Sequence, residues 1–279
     1  MKKTFLTLAS LALTFTLTGC GASTSDKPSD NDITTVKVGV VGEYNDQWDK
    51  VNELLANDNI KVELVKFTDY ATPNRALNDK EIDLNAFQHK AFLANDIEQN
   101  GYKITDIGDT VIAPLSIYTA KDDIKSVDDI KDGDKIAIPS DLTNGGRALK
   151  LLESAGLIEC DPAKGYIPTK ADITKFNVKL DIIEAESGTL ANLLPDCTAA
   201  LINGGNAFTA GLDPTKDAIY TEDTDPDHNE AAASLVNVIC CRTDEKDNVA
   251  YKKVVEAYQS DEVKKSVEES YHGAFTCAW

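Results

Sequence analysis

Apolar segments rich in β-branched residues alternate with segments of helical periodicity through the first third of the chain. Between the first two apolar segments, Trp48, Val51 and Leu55 recur at the spacing of one helix face. The predicted elements, in order, are a strand at 36–41, a helix from 48, a strand at 60–67, a helix at 73–78, a strand at 82–84 and a helix at 89–100. This order predicts a parallel α/β unit, because parallel strands need a crossover connection, usually a helix.

A second unit of the same kind follows an apolar, β-rich segment at 111–120. Its predicted elements are a strand at 135–138, a helix at 146–157, a strand at 178–183, a short helix at 190–194 and a strand at 198–202. Residues 213–226 are polar and are predicted to form a loop, whereas 234–242 are apolar and are predicted to form a strand that returns to the first unit. The segment 249–269 is predicted to be helical with a break at Ser260, whose hydroxyl can cap the second part.

This order of elements predicts two α/β lobes joined by two crossover segments. Residues 36–116 together with 226–279 are predicted to form lobe I, and residues 117–225 are predicted to form lobe II. Ligands bound to sheets of this kind lie at the carboxyl ends of the parallel strands. We therefore expect a binding cleft between the two lobes.

The N-terminus has the parts of a secretory signal. Lys2 and Lys3 precede an apolar run that ends at Leu17. The run is shorter than the roughly 20 residues that a membrane-spanning helix needs. The sequence Leu17-Thr-Gly-Cys20 resembles the lipobox of bacterial lipoproteins. That resemblance implies a signal peptide at 1–19 and a lipid on Cys20, and an ordinary signal peptide with a chance cysteine is the alternative.

The segment after Cys20 is small, polar and without periodicity, so residues 20–35 are predicted to be a flexible tether. A diacylglyceryl group would supply the two acyl chains that stable anchoring requires. We therefore expect the protein to be lipid-anchored at the extracytoplasmic face of the cell membrane.

Charge and cysteine content exclude several classes of function. The chain has 28 basic and 47 acidic residues, a net charge of −19, which disfavours a nucleic acid partner. The cysteines beyond Cys20 have no CxxC spacing, and we expect buried free thiols, with one disulfide as the alternative. They are Cys160, Cys197, Cys240, Cys241 and Cys277. The three histidines are scattered, so neither a metal site nor a cofactor is predicted.

Four ordered blocks of sequence carry a specific resemblance to a known family. They lie at 67–77 with 82–89, at 138–149 with 151–158, at 200–207 with 210–214, and at 236–239 ahead of Arg242. In these blocks, which include the motif Asn85-Ala-Phe87-Gln-His89, the chain resembles the NlpA lipoprotein family, the methionine-binding proteins of bacterial ABC importers. The resemblance implies a periplasmic-binding-protein-like fold of type II, with two α/β lobes joined by two crossover segments.

The resemblance also implies a function and its partners. A protein of this kind captures L-methionine or a close analogue and delivers it to the permease and ATPase subunits of an importer. Another amino acid, D-methionine or a methionyl dipeptide as ligand, or a surface adhesin-type lipoprotein, remain alternatives. The sequence has no G-x-S-x-G, H-E-x-x-H or P-loop motif, so an enzyme is not expected.

Arg147 is the candidate for holding a carboxylate. The segment from Thr143 to Arg147 contains two glycines and opens a helix, where backbone N–H groups favour an anion and let it approach closely. The guanidinium adds a planar, permanently charged fork that matches a carboxylate. The family resemblance implies the same role. Without it, a surface arginine at a helix start would be the ordinary interpretation.

Three aromatic residues are candidates for contacting the ligand side chain. Phe87 and His89 are two residues apart, so in an extended segment they face the same side. Tyr70 would add an aromatic wall with a polar tip. A thioether packs well against aromatic edges, which suits methionine. A core histidine and a core tyrosine at a strand end are the alternatives for His89 and Tyr70.

Four asparagines complete the predicted site. Asn203 and Asn237 lie at the ends of apolar strands, and their amides could hold an ammonium or a carboxylate. Asn144 and Asn206 are predicted at the edge of the pocket. Many relatives have Asn-Gly-Asn-Tyr where this chain has Asn203-Gly-Gly205-Asn206, so an aromatic side chain is replaced by an amide. This departure predicts a more polar or roomier pocket edge and weakens the case for methionine specifically.

Overall fold

The structure, a computed structural model, describes residues 33–279. The predicted signal peptide, Cys20 and most of the predicted tether lie outside the described residues. The first strand already begins at Thr34, inside the segment predicted as tether. Within residues 33–279 no helix has both the length and the apolar character required to cross a membrane.

The strands of the described residues are distributed over the whole length of the chain. They are β1 (Thr34–Val41), β2 (Ile60–Phe67), β3 (Leu84–His89), β4 (Ile104–Asp109), β5 (Val111–Ile112), β6 (Leu115–Tyr118), β7 (Lys135–Pro139), β8 (Ile158–Cys160), β9 (Ile173–Phe176), β10 (Asp181–Ala185), β11 (Ala199–Asn203), β12 (Ala218–Thr221), β13 (Asn237–Arg242) and β14 (Thr276–Cys277).

Helices connect most of these strands, and short 3₁₀ turns supplement them. The α-helices are α1 (Gln47–Leu55), α2 (Thr72–Asn78), α3 (Lys90–Asn100), α4 (Leu142–Ser154), α5 (Leu190–Leu193), α6 (Gly204–Thr209), α7 (Ala232–Leu235), α8 (Val249–Tyr258) and α9 (Asp261–Ser270).

The first sheet has the strand order β2-β1-β3-β13-β4. β1 pairs in parallel with β2 and β3, whereas β13 runs antiparallel to β3 and β4. Val36, Val38 and Val40 alternate along β1 and are at most 1% exposed. They pack against α1, α8 and α9, so burial of one face of this sheet builds the largest apolar core.

The second sheet has the order β10-β7-β11-β6-β12. β7 pairs in parallel with β10 and β11, and β6 runs antiparallel to β11 and β12. Ile136 and Ile138 of β7 are fully buried, as is Leu152 on the apolar face of α4. This second core is separate from the first, as expected for two lobes.

Two segments carry the chain between the sheets. Residues 110–114 join β4 to β6 and are called the first crossover, and residues 222–236 join β12 to β13 and are called the second crossover. The protein therefore has the predicted α/β fold of two lobes joined by two crossovers. The lobe boundaries at 116/117 and 225/226 remain a prediction.

The structure corrects several predicted elements. β3 covers Leu84–His89, not 82–84, because its polar residues are buried in a hydrogen-bond network that hides the strand pattern. The predicted loop at 213–226 contains β12, a half-buried edge strand defined by its ladder with β6. α4 begins at Leu142, with Asp141 as its cap. The break in the C-terminal helix is confirmed, because the Ser260 hydroxyl accepts a hydrogen bond from Val263 N–H.

Other elements were missed because they are short or depend on distant pairing. β4 pairs with β13, and β8 and β9 form a small ribbon of their own. α6 is short and begins with two glycines, which disfavour helix on propensity alone.

Candidate functional site

A cavity lies where elements of the two sheets meet. It encloses about 870 Å³ of space without protein atoms, open solvent at its mouth included. All eight side chains singled out in the sequence line it, and they are Tyr70, Phe87, His89, Asn144, Arg147, Asn203, Asn206 and Asn237. Residues far apart in sequence are thus brought to one place.

The cavity walls come from element ends, as expected for sheets of this type. β3 ends at His89 and β11 ends at Asn203, so both strands deliver side chains at their carboxyl ends. The first turns of α4 contribute Asn144 and Arg147. Asn237 opens β13 opposite His89 in the ladder. Its side chain has no hydrogen-bond partner within residues 33–279.

Arg147 is buried and 6% exposed, and it is not a free surface cation. Its Nε lies 2.8 Å from Oε1 and 3.1 Å from Oε2 of Glu222, and its Nη2 also donates to Glu222. Nη2 further donates to the carbonyl of Ala113 at 2.8 Å. Among the described residues Nη1 has no acceptor. The Nη1 N–H groups therefore remain available for an acceptor in the cavity.

Glu222 was missed by the sequence analysis. It lies directly after β12, a strand predicted as loop, and its side chain is 10% exposed. The available signal was indirect: a buried arginine requires a carboxylate partner. With 47 acidic residues in the chain, the sequence did not indicate which one.

A chain of amides fixes the orientation of Asn203. Both carboxylate oxygens of Asp141 can only accept, so the amide nitrogen of Asn144, 3.1 Å from each, must face them. The Asn144 carbonyl then accepts from Asn203 Nδ2 at 2.7 Å. Asn203 Oδ1 is consequently left buried and without a donor within residues 33–279. A buried acceptor of this kind calls for a donor from a bound molecule.

His89 is held as a neutral imidazole. Its Nδ1 accepts the backbone N–H of Phe92 at 3.1 Å and caps α3, so the proton is on Nε2. Nε2 lies 3.3 Å from Asn144 Oδ1, across the cleft. Burial, with a smaller contribution from Arg147, lowers the pKa of His89 to about 3. At neutral pH His89 therefore contributes a hydrogen-bond donor and no charge.

An aromatic cluster forms the wall of the first lobe. The ring centroids of Tyr70 and Phe87 are 6.0 Å apart, and Phe92 lies edge-on 6.1 Å from Tyr70 and 5.9 Å from Phe87. Phe92 was missed, although its position three residues after the helix-capping His89 places it on the first turn of α3. Burial raises the pKa of the Tyr70 hydroxyl well above its usual value, so this ring is also neutral. The wall suits an apolar or thioether group.

Asn206, at the position where the chain departs from many relatives, reaches across the cleft. Its amide nitrogen donates to the Tyr70 hydroxyl at 3.1 Å. Gly205 beside it has open space where a Cβ would lie. The pocket edge therefore has an amide–phenol hydrogen bond in place of an aromatic side chain.

Asn85 supports the site from behind and does not line the cavity. Its amide donates to Asn74 Oδ1 at 2.9 Å, and Gln88 Nε2 donates to the same oxygen at 2.6 Å. All three residues are at most 3% exposed. This network ties β3 to α2 and fixes the strand that presents Phe87 and His89.

The two lobes touch around the cavity. A Cβ on Gly188, which follows β10, would lie 2.6 Å from the Thr68 carbonyl oxygen, which follows β2. A side chain at Gly188 would therefore separate the lobes. Together with the His89–Asn144 and Asn206–Tyr70 contacts, this close approach describes a closed cleft.

No metal centre is indicated in the described part of the chain. Within residues 33–279, no group of three or more His, Cys, Asp or Glu side chains is arranged to hold an ion. The five cysteines of this part are free thiols, with Cys277 half-buried and the others buried. Arg147, the unpartnered Oδ1 of Asn203 and the aromatic cluster suit the cavity to a small organic molecule with a carboxylate, a hydrogen-bond donor and an apolar side chain.

Comparison with known families and relatives agrees with this chemistry. The family model of the NlpA lipoproteins matches residues 36–279. A curated relative, the D-methionine-binding lipoprotein MetQ of Salmonella typhimurium, is 39% identical over 281 aligned positions, covering 99% of this chain and 98% of the relative.

Solved structures give the same picture. The substrate-binding protein of a methionine transporter from Streptococcus pneumoniae is 37% identical with a TM-score of 0.82, covering 88% of this chain and 96% of that protein. A nutrient-binding protein from Burkholderia cenocepacia bound to methionine is 36% identical with a TM-score of 0.81, covering 88% of this chain and 100% of that protein.

Proposed function

The chain belongs to the NlpA lipoprotein family, and on that premise we propose that it is the substrate-binding lipoprotein of an ABC importer and captures L-methionine between its two lobes. The relatives named as methionine-binding proteins support this function. A surface adhesin and a different amino acid have no comparable support, whereas D-methionine is the ligand given in the names of the curated relatives.

The observation that carries the proposal is the pairing of two unmet hydrogen-bonding groups in one cavity. Nη1 of Arg147 offers donors, and the buried Oδ1 of Asn203 is an acceptor without a donor among the described residues. A carboxylate and an ammonium attached to the same carbon satisfy one group of each kind. An α-amino acid is the smallest common molecule that carries both.

The proposed pose follows from the chemistry of the walls. Arg147 holds the carboxylate, with Asn203 and Asn237 on the ammonium. The side chain points to the aromatic cluster of Tyr70, Phe87 and Phe92. A thioether fits there because sulfur packs favourably at ring edges, at about 0.3–1.5 kcal/mol per contact.

Delivery requires closure and reopening of the cleft. The ligand bridges the lobes, so binding shifts the population toward the closed state that the permease and its ATPase subunits would recognise. The lipid on Cys20 would hold the protein on the extracytoplasmic face of the membrane, where a tether raises its effective concentration near the permease. No catalytic step is proposed.

Mass spectrometry of protein purified without added ligand tests the proposal directly. We expect retained methionine, identified by mass and by chiral chromatography of the released compound. After ligand removal, calorimetry should give tighter binding for L-methionine than for D-methionine. Tighter binding of D-methionine would make the D isomer, not the L isomer, the ligand. Binding of neither isomer would refute the proposed function.

The anchor has its own test. Replacing Cys20 with Ser should release the protein from the membrane fraction, whereas Cys160→Ser, a change at a buried thiol, should not. Membrane association of the Cys20→Ser protein would contradict the proposed lipidation.

A further inference from the structure

Glu222 lies behind the guanidinium of Arg147, away from the ligand cavity. It lines a separate cavity walled by the second crossover and by β14. The Arg147–Glu222 pair is buried, with side chains 6% and 10% exposed. Glu222 therefore affects a ligand through Arg147 and through its charge, without touching the ligand.

The pair fixes Arg147 against both crossovers. Glu222 begins the second crossover, and its Oε2 also accepts the backbone N–H of Leu115 at 3.1 Å. Arg147 Nη2 reaches Ala113 on the first crossover. The N–H groups of Nε and Nη2 are thus occupied, which leaves Nη1 as the part of the guanidinium available to the cavity that Arg147 lines. Because a planar fork bonded on two sides cannot rotate, its free edge has one orientation.

The charges facing Arg147 leave no excess positive charge in the cavity. Glu222 carries one negative charge against the guanidinium, and Asp141, on the turn before Arg147, is bonded to Asn144. Across the cleft His89 and Tyr70 are neutral. A plain carboxylate entering this cavity adds a net negative charge to a neutral or negative environment, whereas a zwitterion adds none.

We propose that Glu222 is a positioning residue that orients Arg147 and makes the pocket selective for an amino acid zwitterion over a plain carboxylate. The inference rests on the proposed function, and deepens it by naming the residue that sets this selectivity. Removing the Glu222 charge strengthens the hold on any carboxylate. For a zwitterion that gain is offset, because the ammonium loses an attractive negative charge.

Calorimetry with two ligands measures the effect. L-Methionine and its des-amino analogue 4-(methylthio)butanoate are titrated into the wild-type protein, Glu222→Gln, Glu222→Asp and the control Glu184→Gln. The control removes the same charge from an exposed ion pair with Lys170 in the same lobe. The quantity compared is the ratio of the Kd for the analogue to the Kd for methionine.

In Glu222→Gln we expect this ratio to fall at least about tenfold, with the Kd for methionine changing less than that for the analogue. In Glu222→Asp, which keeps the charge on a shorter side chain, both ligands should weaken while the ratio is kept. Glu184→Gln should leave both constants unchanged.

Two results would overturn the inference while the proposed function stands. In one, wild-type protein binds methionine and Glu222→Gln keeps the wild-type ratio, which refutes the selectivity role. In the other, Glu222→Asp binds both ligands with wild-type affinity, which refutes positioning and is decisive even where Glu222→Gln does not fold. A wild-type protein that binds no methionine would refute the proposed function itself.

Discussion

The two walls of the cavity differ in chemistry. The first lobe presents a neutral, largely aromatic wall of Tyr70, Phe87 and Phe92 with an uncharged His89. The second lobe presents a polar wall on which Asn144, Arg147 and Asn203 are hydrogen-bonded to one another or to the carboxylates of Asp141 and Glu222. In the proposed function, one lobe would contact the ligand side chain and the other would hold the charged groups of the amino acid backbone.

This division explains why closure can depend on the ligand. Neither wall alone satisfies an amino acid with an apolar side chain, since the aromatic wall lacks charges and the polar wall lacks apolar surface. A molecule that matches both walls gains its full contact energy only when the lobes are together. A ligand can shift the open–closed equilibrium only by its differential affinity for the two states, and a divided site supplies that difference.

The most damaging change should be removal of the charge on the polar wall. Arg147→Ala deletes the proposed carboxylate partner and leaves Glu222 buried and uncompensated, so we expect methionine binding to weaken by about 3–5 kcal/mol, at least a hundredfold in Kd. Calorimetry measures this, with the exposed Arg75→Ala as the matched control. If Arg147→Ala binds as tightly as Arg75→Ala, the polar wall does not hold the ligand.

Truncation of the aromatic wall should have the next largest effect. Phe87→Ala removes much of the apolar contact surface, and we expect the Kd for methionine to rise about tenfold to a hundredfold. Phe176→Ala, at a phenylalanine that is 44% exposed on β9, is the control. An unchanged Kd in Phe87→Ala would mean that the ligand side chain lies elsewhere.

The assignment of His89 to the neutral wall can be tested by pH. The folded pKa of about 3 lies below the unfolded value of about 6.5, so below pH 6.5 only the unfolded state takes up this proton. The stability that His89 contributes as a neutral group is complete above pH 6.5. It is lost as the pH falls toward 3, by up to about 1.4 kcal/mol per pH unit.

The matched variant is His89→Asn, whose side chain can still cap α3 but does not titrate. Its free energy of unfolding, from chemical denaturation between pH 7 and pH 5, should fall less steeply than that of the wild type. His228 and His272 are common to both proteins and cancel in the comparison. If the free energies of unfolding of the two proteins have the same pH dependence, His89 is charged in the folded protein at pH 5. The first-lobe wall would then not be neutral.

The smallest expected effect concerns the hydrogen bond that joins the walls. Asn206→Ala and Tyr70→Phe each remove one partner, and we expect each to weaken methionine binding by about 0.5–1.5 kcal/mol. Because both changes break the same hydrogen bond, the double variant should be no worse than the worse single variant. Strictly additive losses would show that the two side chains act separately and that the bond does not hold the cleft closed.

The sequence predicted much of the fold and eight of the residues that line the candidate site. Periodicity indicated β1, β2, β7 and most helices, because these elements bury one face and their apolar residues repeat at the helix or strand spacing. It failed at β3 and β12. In β3 the buried residues other than Leu84 are polar and are stabilised by side-chain hydrogen bonds, and β12 is recognisable only by its pairing with β6.

The site residues show the same limit. Motif resemblance indicated Arg147, Asn203 and His89, and the structure brings them to one cavity. It did not indicate Glu222, which lies 75 positions from Arg147 in an acidic chain where many carboxylates were equal candidates. Nor did it indicate that Asn206 meets Tyr70, 136 positions away.

By itself, the sequence determined the two-lobed α/β plan, the predicted export signal and the residue types of the site. Each of these depends on the local spacing of residues or on a short motif. Only the tertiary structure decided which charge neutralises Arg147, which tautomer His89 adopts and which acceptor is left for a ligand. Those properties depend on which groups become neighbours after folding. Burial then sets the free-energy cost of an unsatisfied polar group, because that cost is large only where water is excluded.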